Sequence, residues 1–153
     1  MGTRSMIGVM HGDNCKAVYC HWDGYLSHNG RILQEHYDSA KANHLVALGN
    51  ISSLQPNIGE KHPFDAPGKF GDAEYTAFKE KYSNMTTFYG RDREEEGQEF
   101  KTFTSKEELV ESFNNVWAEF CYIMKDGVWY MFDQNNTELR LLSEELAKVT
   151  EEV

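Results

Sequence analysis

Residues 19–25 read Tyr-Cys-His-Trp-Asp-Gly-Tyr, and the residue types in this heptad could do chemistry. An imidazole and a carboxylate two positions apart, His21 and Asp23, can move a proton or hold a cation. Two rings, Trp22 and Tyr25, can stack on a planar ligand. Gly24 lets a ligand or another backbone come close. The His-x-Asp spacing recurs at His11/Asp13 and His36/Asp38. Residues i and i+2 of a strand share a face, so such pairs raise the question of a metal site. His11 sits at the turn end of its strand and His21 at the far end of the next. At roughly 3.3 Å per residue the two are about 20 Å apart, too far for one ion. His21, Asp23 and His36 remain a geometric alternative, but no ligand-spacing motif supports it, and no metal or cofactor is expected. The bland alternative is that these groups satisfy local hydrogen bonds at strand and helix ends.

The elements that must position these residues can be read from periodicity and turn chemistry. Ser5–Met10 and Lys16–Trp22 read as two strands around a Gly12-Asp13-Asn14 turn, a β-hairpin. A three-residue loop pairs His11 with Cys15 and sets Thr3, Arg4 and Ser5 opposite Asp23, Trp22 and His21. One end of the hairpin then gathers two hydroxyls, a guanidinium, an imidazole, a carboxylate and the rings of Trp22 and Tyr25. Arginine offers forked donors to phosphate or carboxylate. A ring can stack on a base, and aspartate can accept from ribose hydroxyls, as carboxylates do in dinucleotide sites. The expected ligand-binding set is Thr3, Arg4, Ser5, His21, Trp22, Asp23 and Tyr25, with Arg91 and Arg93 as a second basic cluster. Those two arginines either close over the pocket or pair with Glu94–Glu96. The set depends on register, because a slip of one residue turns half of the side chains to the other face. The competing reading is a rigid corner, with Arg4 paired to Asp23 and Trp22 in the core.

Downstream, 30–37 and 39–48 read as helices, with Asp38 as N-cap and Gly49 as C-cap. Residues 50–71 hold all three prolines and read as a long loop or lid. Residues 72–82 form a short helix and 85–89 a strand. A further strand at 100–103 precedes the strongest helical signal, 105–117, where Ser105 and Glu108 form a capping box. Residues 120–124 and 128–132 flank a Lys-Asp-Gly turn as a second hairpin, 137–141 alternates like an edge strand, and 143–151 closes the chain as a helix. The expectation is one α+β domain over 1–153, an antiparallel sheet built from hairpins with helices packed on one face.

Bulk composition narrows the function classes. The chain carries 25 acidic against 15 basic residues, a net charge of −10, which argues against direct nucleic-acid binding. It allows an acidic surface that docks on a basic partner. Three cysteines without a CxxC spacing are expected to be reduced thiols. With no apolar run of about 18 residues and no signal-like N-terminus, a cytoplasmic protein away from the membrane is expected.

The opening Met-Gly-Thr-Arg-Ser, the later Tyr-x-His-Trp-Asp-Gly-Tyr and the following Gly-Arg-Ile-Leu-x-x-His-Tyr resemble a family of small accessory proteins carried mainly by tailed bacteriophages. The resemblance covers roughly residues 1–52, and Leu26 stands where members commonly carry proline. It implies a setting, host takeover or anti-defence in the infected cell, and no chemistry. Three functions fit these readings. One is sequestration of a small nucleotide-like ligand at the hairpin end, the favoured one. Another is an acidic inhibitor of a host protein with a basic surface. The third is a small hydrolase, with His21 or His36 as base and Thr3, Ser5 or Cys20 as nucleophile, although no complete catalytic signature is present.

Overall fold

A computed structural model describes residues 3–61, 69 and 71–151. The central hairpin is β1 (Ser5–His11) and β2 (Asn14–Cys20). Its connection holds two residues, Gly12 and Asp13, because His11 pairs with Asn14. Gly12 takes φ +61, the left-handed conformation that two-residue hairpin loops favour because it matches the twist of the flanking strands. The expected three-residue loop is therefore corrected by one position, and Ser5 pairs with Cys20 instead of His21.

The rest of the sheet grows outward from this hairpin. β6 (Phe120–Lys125) lies parallel to β1, with Ser5 opposite Phe120. β7 (Val128–Asp133) follows through the Asp126–Gly127 turn, both residues at positive φ, and β8 (Arg140–Leu141) closes that edge. On the other side β2 has two neighbours end to end: β3 (Ile51–Ser53), parallel at Cys20, and β5 (Lys101–Phe103), antiparallel at Cys15–Ala17. β4 (Thr87–Phe88) pairs with β3. The sheet is eight-stranded and mostly antiparallel. β3 falls inside the expected loop at about 50–71. Ile51 is fully buried between Cys20 and Phe88, so burial makes a strand where the proline and glycine content suggests a loop. Residues 62–68 and 70 of the expected lid lie outside the described residues.

Strand alternation sorts the core into two layers. Ile7, Val9, Val18, Tyr122 and Met131 face α1 (Arg31–His36), α2 (Ser39–Ala47) and α5 (Leu142–Glu151) through Leu33, Leu45, Val46 and Leu142. Most of the helical cover lies on this face. Met6, Cys15, Ala17, Cys121, Ile123 and Phe132 face the other way, onto Leu109 and Phe113 of α4 (Lys106–Asn115). α3 (Ala73–Tyr82) buries no residue. The caps follow the sequence. Asp38 accepts from the Lys41 amide, Ser105 accepts from the Glu108 amide, and the Glu108 carboxylate takes the Thr104 amide at 2.9 Å. Among the described residues no helix is long and apolar enough to cross a membrane.

α4 ends two residues before the expected Trp117. The Trp117 amide donates to Asn114 and the Ala118 amide to Phe113 (3.1 Å), which is a Schellman closure. Trp117 occupies the left-handed position, φ +63, where glycine is usual.

Phe113 is fully buried and stacks edge-on to Phe132 at 4.9 Å. Phe113→Ala is expected to destabilise the domain by about 3–5 kcal/mol, measured by denaturant unfolding, because it empties the centre of this layer against Phe132.

Candidate functional site

The corrected register divides the expected site between the two faces of the sheet. Ser5 and Cys20, opposite each other, point into the α1/α2/α5 layer and are fully buried. Asn29, also fully buried, comes from the π turn Leu26–Gly30 and donates to Ser5 Oγ (3.3 Å), Cys20 Sγ (3.4 Å) and the Trp22 carbonyl (3.4 Å). The Tyr122 hydroxyl donates to the Gly24 carbonyl at 2.6 Å, and the Gly24 amide donates to Thr3 at 2.8 Å. A side chain at Gly24 would meet Ser5 Cβ at 2.7 Å and Thr3 O at 2.8 Å, so glycine here serves a close backbone crossing. Thr3 enters the corner through its backbone. Asp23 holds φ +56 and accepts from the Asn29 amide through its carbonyl.

Arg4 and His21 lie on the opposite, α4 face. Tyr19 Oη is 2.7 Å from His21 Nδ1, a contact set by i, i+2 alternation. Trp22 meets His21 edge-on, ring centroids 4.7 Å apart, and is 43% exposed. The half-buried Arg4 guanidinium donates once, at 3.3 Å, to the Val116 carbonyl at the end of α4. No carboxylate pairs with Arg4 among the described residues, so the rigid-corner pairing with Asp23 does not form, nor does Trp22 enter the core. One position beyond Val116 stands Trp117, 78% exposed. Along this rim Trp22 touches His21, and Arg4 reaches the backbone one position before Trp117. Tyr25, 40% exposed, leans toward His28 instead.

Charge states follow from the surroundings. Burial lowers the His21 imidazole below its ordinary value, and Arg4 adds to that. Burial raises the Tyr19 phenol. A neutral imidazole that accepts from the phenol at Nδ1 carries its proton on Nε2, so the pair offers a second donor beside Arg4. Burial also pushes the Cys20 thiol up to about 12 and the Cys15 thiol to about 11. Cys20 and Ser5 face away from His21, so neither pairs with it as the nucleophile of the hydrolase alternative.

The second basic cluster goes elsewhere. Arg91 donates to the carbonyls of Ile58, Gly59 and Thr86, pairs with the buried Asp92 at 3.0 Å and lies over the Phe88 ring. It ties the loop at Ile58–Gly59 to the start of β4. Arg93 pairs with Glu95 at 3.5 Å, the partner class expected for it. Among the described residues no group of three or more His, Cys, Asp or Glu side chains could hold a metal ion. Tyr19, Asn29 and Trp117 are missing from the expected set. Tyr19 was legible from its i, i+2 relation to His21. Asn29 and Trp117 carry no local signal, since long-range strand pairing brings them here.

No known protein family, curated protein or solved structure matches the chain. The chemistry of the rim is then what bears on function.

Two measurements check this description. All three cysteines are buried and free, so they are expected to resist alkylation in the native protein at mildly alkaline pH and to react fully once unfolded, as read by mass spectrometry. His21 is expected to titrate below about 6.5 in an NMR titration, and Arg4→Gln to raise it. Because the folded value is depressed, the stability from neutral His21 is present above its unfolded value and lost as pH falls through the folded one.

Proposed function

We propose that this protein acts by binding, and that the Trp22–His21–Arg4–Trp117 rim takes a small anionic ligand with a planar ring, of which a nucleotide is the fitting class. The observation that carries the reading is Arg4. It is half-buried, makes one hydrogen bond at 3.3 Å, and has no carboxylate partner among the described residues. A guanidinium with unused fork donors between exposed rings suits a phosphate beside a base. A guanidinium without a carboxylate partner gives a locally positive point on a chain whose net charge of −10 disfavours long nucleic acids. The reading is non-enzymatic. The setting implied by the N-terminal resemblance, a phage accessory protein sequestering a signal nucleotide in the host cytoplasm, belongs to the same proposal.

A thermal-shift screen of mononucleotides and cyclic nucleotides tests it. A ligand at about 100 times its Kd adds about 2.7 kcal/mol, several degrees for a domain of this size. The shift is expected in the wild type, lost in Arg4→Ala and reduced in Trp22→Ala. Stacking contributes about 1–3 kcal/mol per base. Absence of any shift across the screen, or an undiminished shift in Arg4→Ala, would overturn the proposal.

A further inference from the structure

The outer edge of β5 adjoins the rim, with Val116 at the end of α4 shared between the two. β2 uses alternate residues for its two neighbours. The two-residue turn makes His11 and Asn14 a bonded pair, so Asn14, Lys16 and Val18 turn their backbone groups to β1. Cys15, Ala17 and Tyr19 turn theirs outward, and the Tyr19 amide accordingly donates to Asn50 Oδ1. Phe103 and Lys101, opposite Cys15 and Ala17, face β2 in return. The Thr102 N–H and C=O are therefore left on the outer edge of the sheet, where β5 has no strand partner among the described residues.

A groove of about 580 Å³ lies along that edge. One wall is β5, Lys101 to Phe103, and the other is the α4 stripe Glu108, Glu111, Ser112 and Asn115, which ends at Val116, the residue whose carbonyl takes Arg4. These four positions follow the three- and four-residue spacing of one helix face. No β2 residue lines the groove, so it opens outward from the sheet, not over it. The Thr102 side chain sits on the face away from α4, as the alternation with Lys101 and Phe103 requires, so what Thr102 lends to the groove is main chain. Glu111 has no partner among the described residues. Glu108 takes the Thr104 amide and hydroxyl through Oε2. Against the single Lys101 they leave the groove acidic.

We infer that the groove between β5 and α4 binds an extended segment of a basic partner protein, which adds to the edge of β5 through Thr102 and sets lysine or arginine side chains against Glu108 and Glu111. Main-chain bonds to an exposed sheet edge with side-chain readout by a neighbouring helix is a recurring way to hold a peptide. The net charge of −10 favours a basic occupant and opposes a second copy of this chain.

An amide NMR titration with a blocked peptide of alternating lysine and valine tests the inference, with a glutamate–valine peptide as control. The lysine peptide is expected to shift the Thr102 amide and slow its exchange, while the Lys101 and Phe103 amides, already bonded to β2, keep theirs. Thr102→Pro removes only the outward donor, which an edge strand tolerates, and is expected to weaken binding about tenfold. Glu111→Lys is expected to weaken it and flatten its salt dependence. If Thr102→Pro melts well below the wild type, the exchange of the wild-type Thr102 amide and the Glu111→Lys result decide the question. No binding at millimolar peptide, equal binding of the control, shifts confined to Arg4 and His21, or self-association through β5 would each overturn the inference. Failure here leaves the nucleotide proposal untouched, since Arg4→Ala reads that site separately.

Discussion

The two-residue turn at Gly12–Asp13 is the constraint on which the rest of this structure hangs. With Gly12 at φ +61, His11 must pair with Asn14, and every later pair in the hairpin follows. That register turns Ile7, Val9, Val18 and Cys20 toward one layer and Met6, Cys15 and Ala17 toward the other. It also sends neighbouring residues of the N-terminal stretch to opposite faces, Ser5 inward and Arg4 to the rim. A side-chain period of two leaves no intermediate arrangement. β6 then reads the free edge of β1 in parallel, which carries the end of α4, and so Val116 and Trp117, to Arg4.

Buried polar groups make the corner at residues 22–29 rigid. Asn29, Ser5 and the Tyr122 hydroxyl all find partners, and among the described residues no buried side-chain nitrogen or oxygen lacks one. Each such bond contributes only about 1 kcal/mol net, but an unpaired group would cost about 1–3 kcal/mol, so the network penalises every alternative packing. Asn50 does the same at the gap between β3 and β5. Its side chain takes the Tyr19 amide that no strand reaches and bonds Gln98 on the far side. Arg91 likewise satisfies three loop carbonyls that would otherwise be left open. These are structural uses of polar residues that composition alone would assign to a binding site.

What is left over is informative. Ser5, Asn29 and Arg91 are taken up by the network, whereas Arg4 makes one hydrogen bond among the described residues and Trp22 and Trp117 stay exposed. Trp117 stands in a left-handed position that glycine would fill at lower cost, with most of its surface in solvent. Strain and exposure of this kind on a large ring gather at sites that work on something outside the molecule.

Much of the fold was legible before any coordinates. The Asp38 and Ser105 caps, the Lys-Asp-Gly hairpin, the apolar stripe of α4 and the α+β class follow from interactions within a few residues of each other, and local chemistry is what a sequence states directly. β3 was not legible, because Ile51 becomes a strand only by burial against Cys20 and Phe88. Nor was the division of the candidate site. The residue types Arg4, His21, Trp22 and Asp23 stand out in the sequence as capable of chemistry. Which of them share a face depended on one turn residue more or less, and the sequence Gly-Asp-Asn is compatible with either loop. Sequence by itself determined the building blocks and their caps, since those energies are local. Tertiary structure alone decided that Arg4 lies beside Tyr19 and His21 and reaches Val116 while Ser5 and Cys20 are sealed away, since strand register and parallel pairing are settled by burying both faces of the sheet at once.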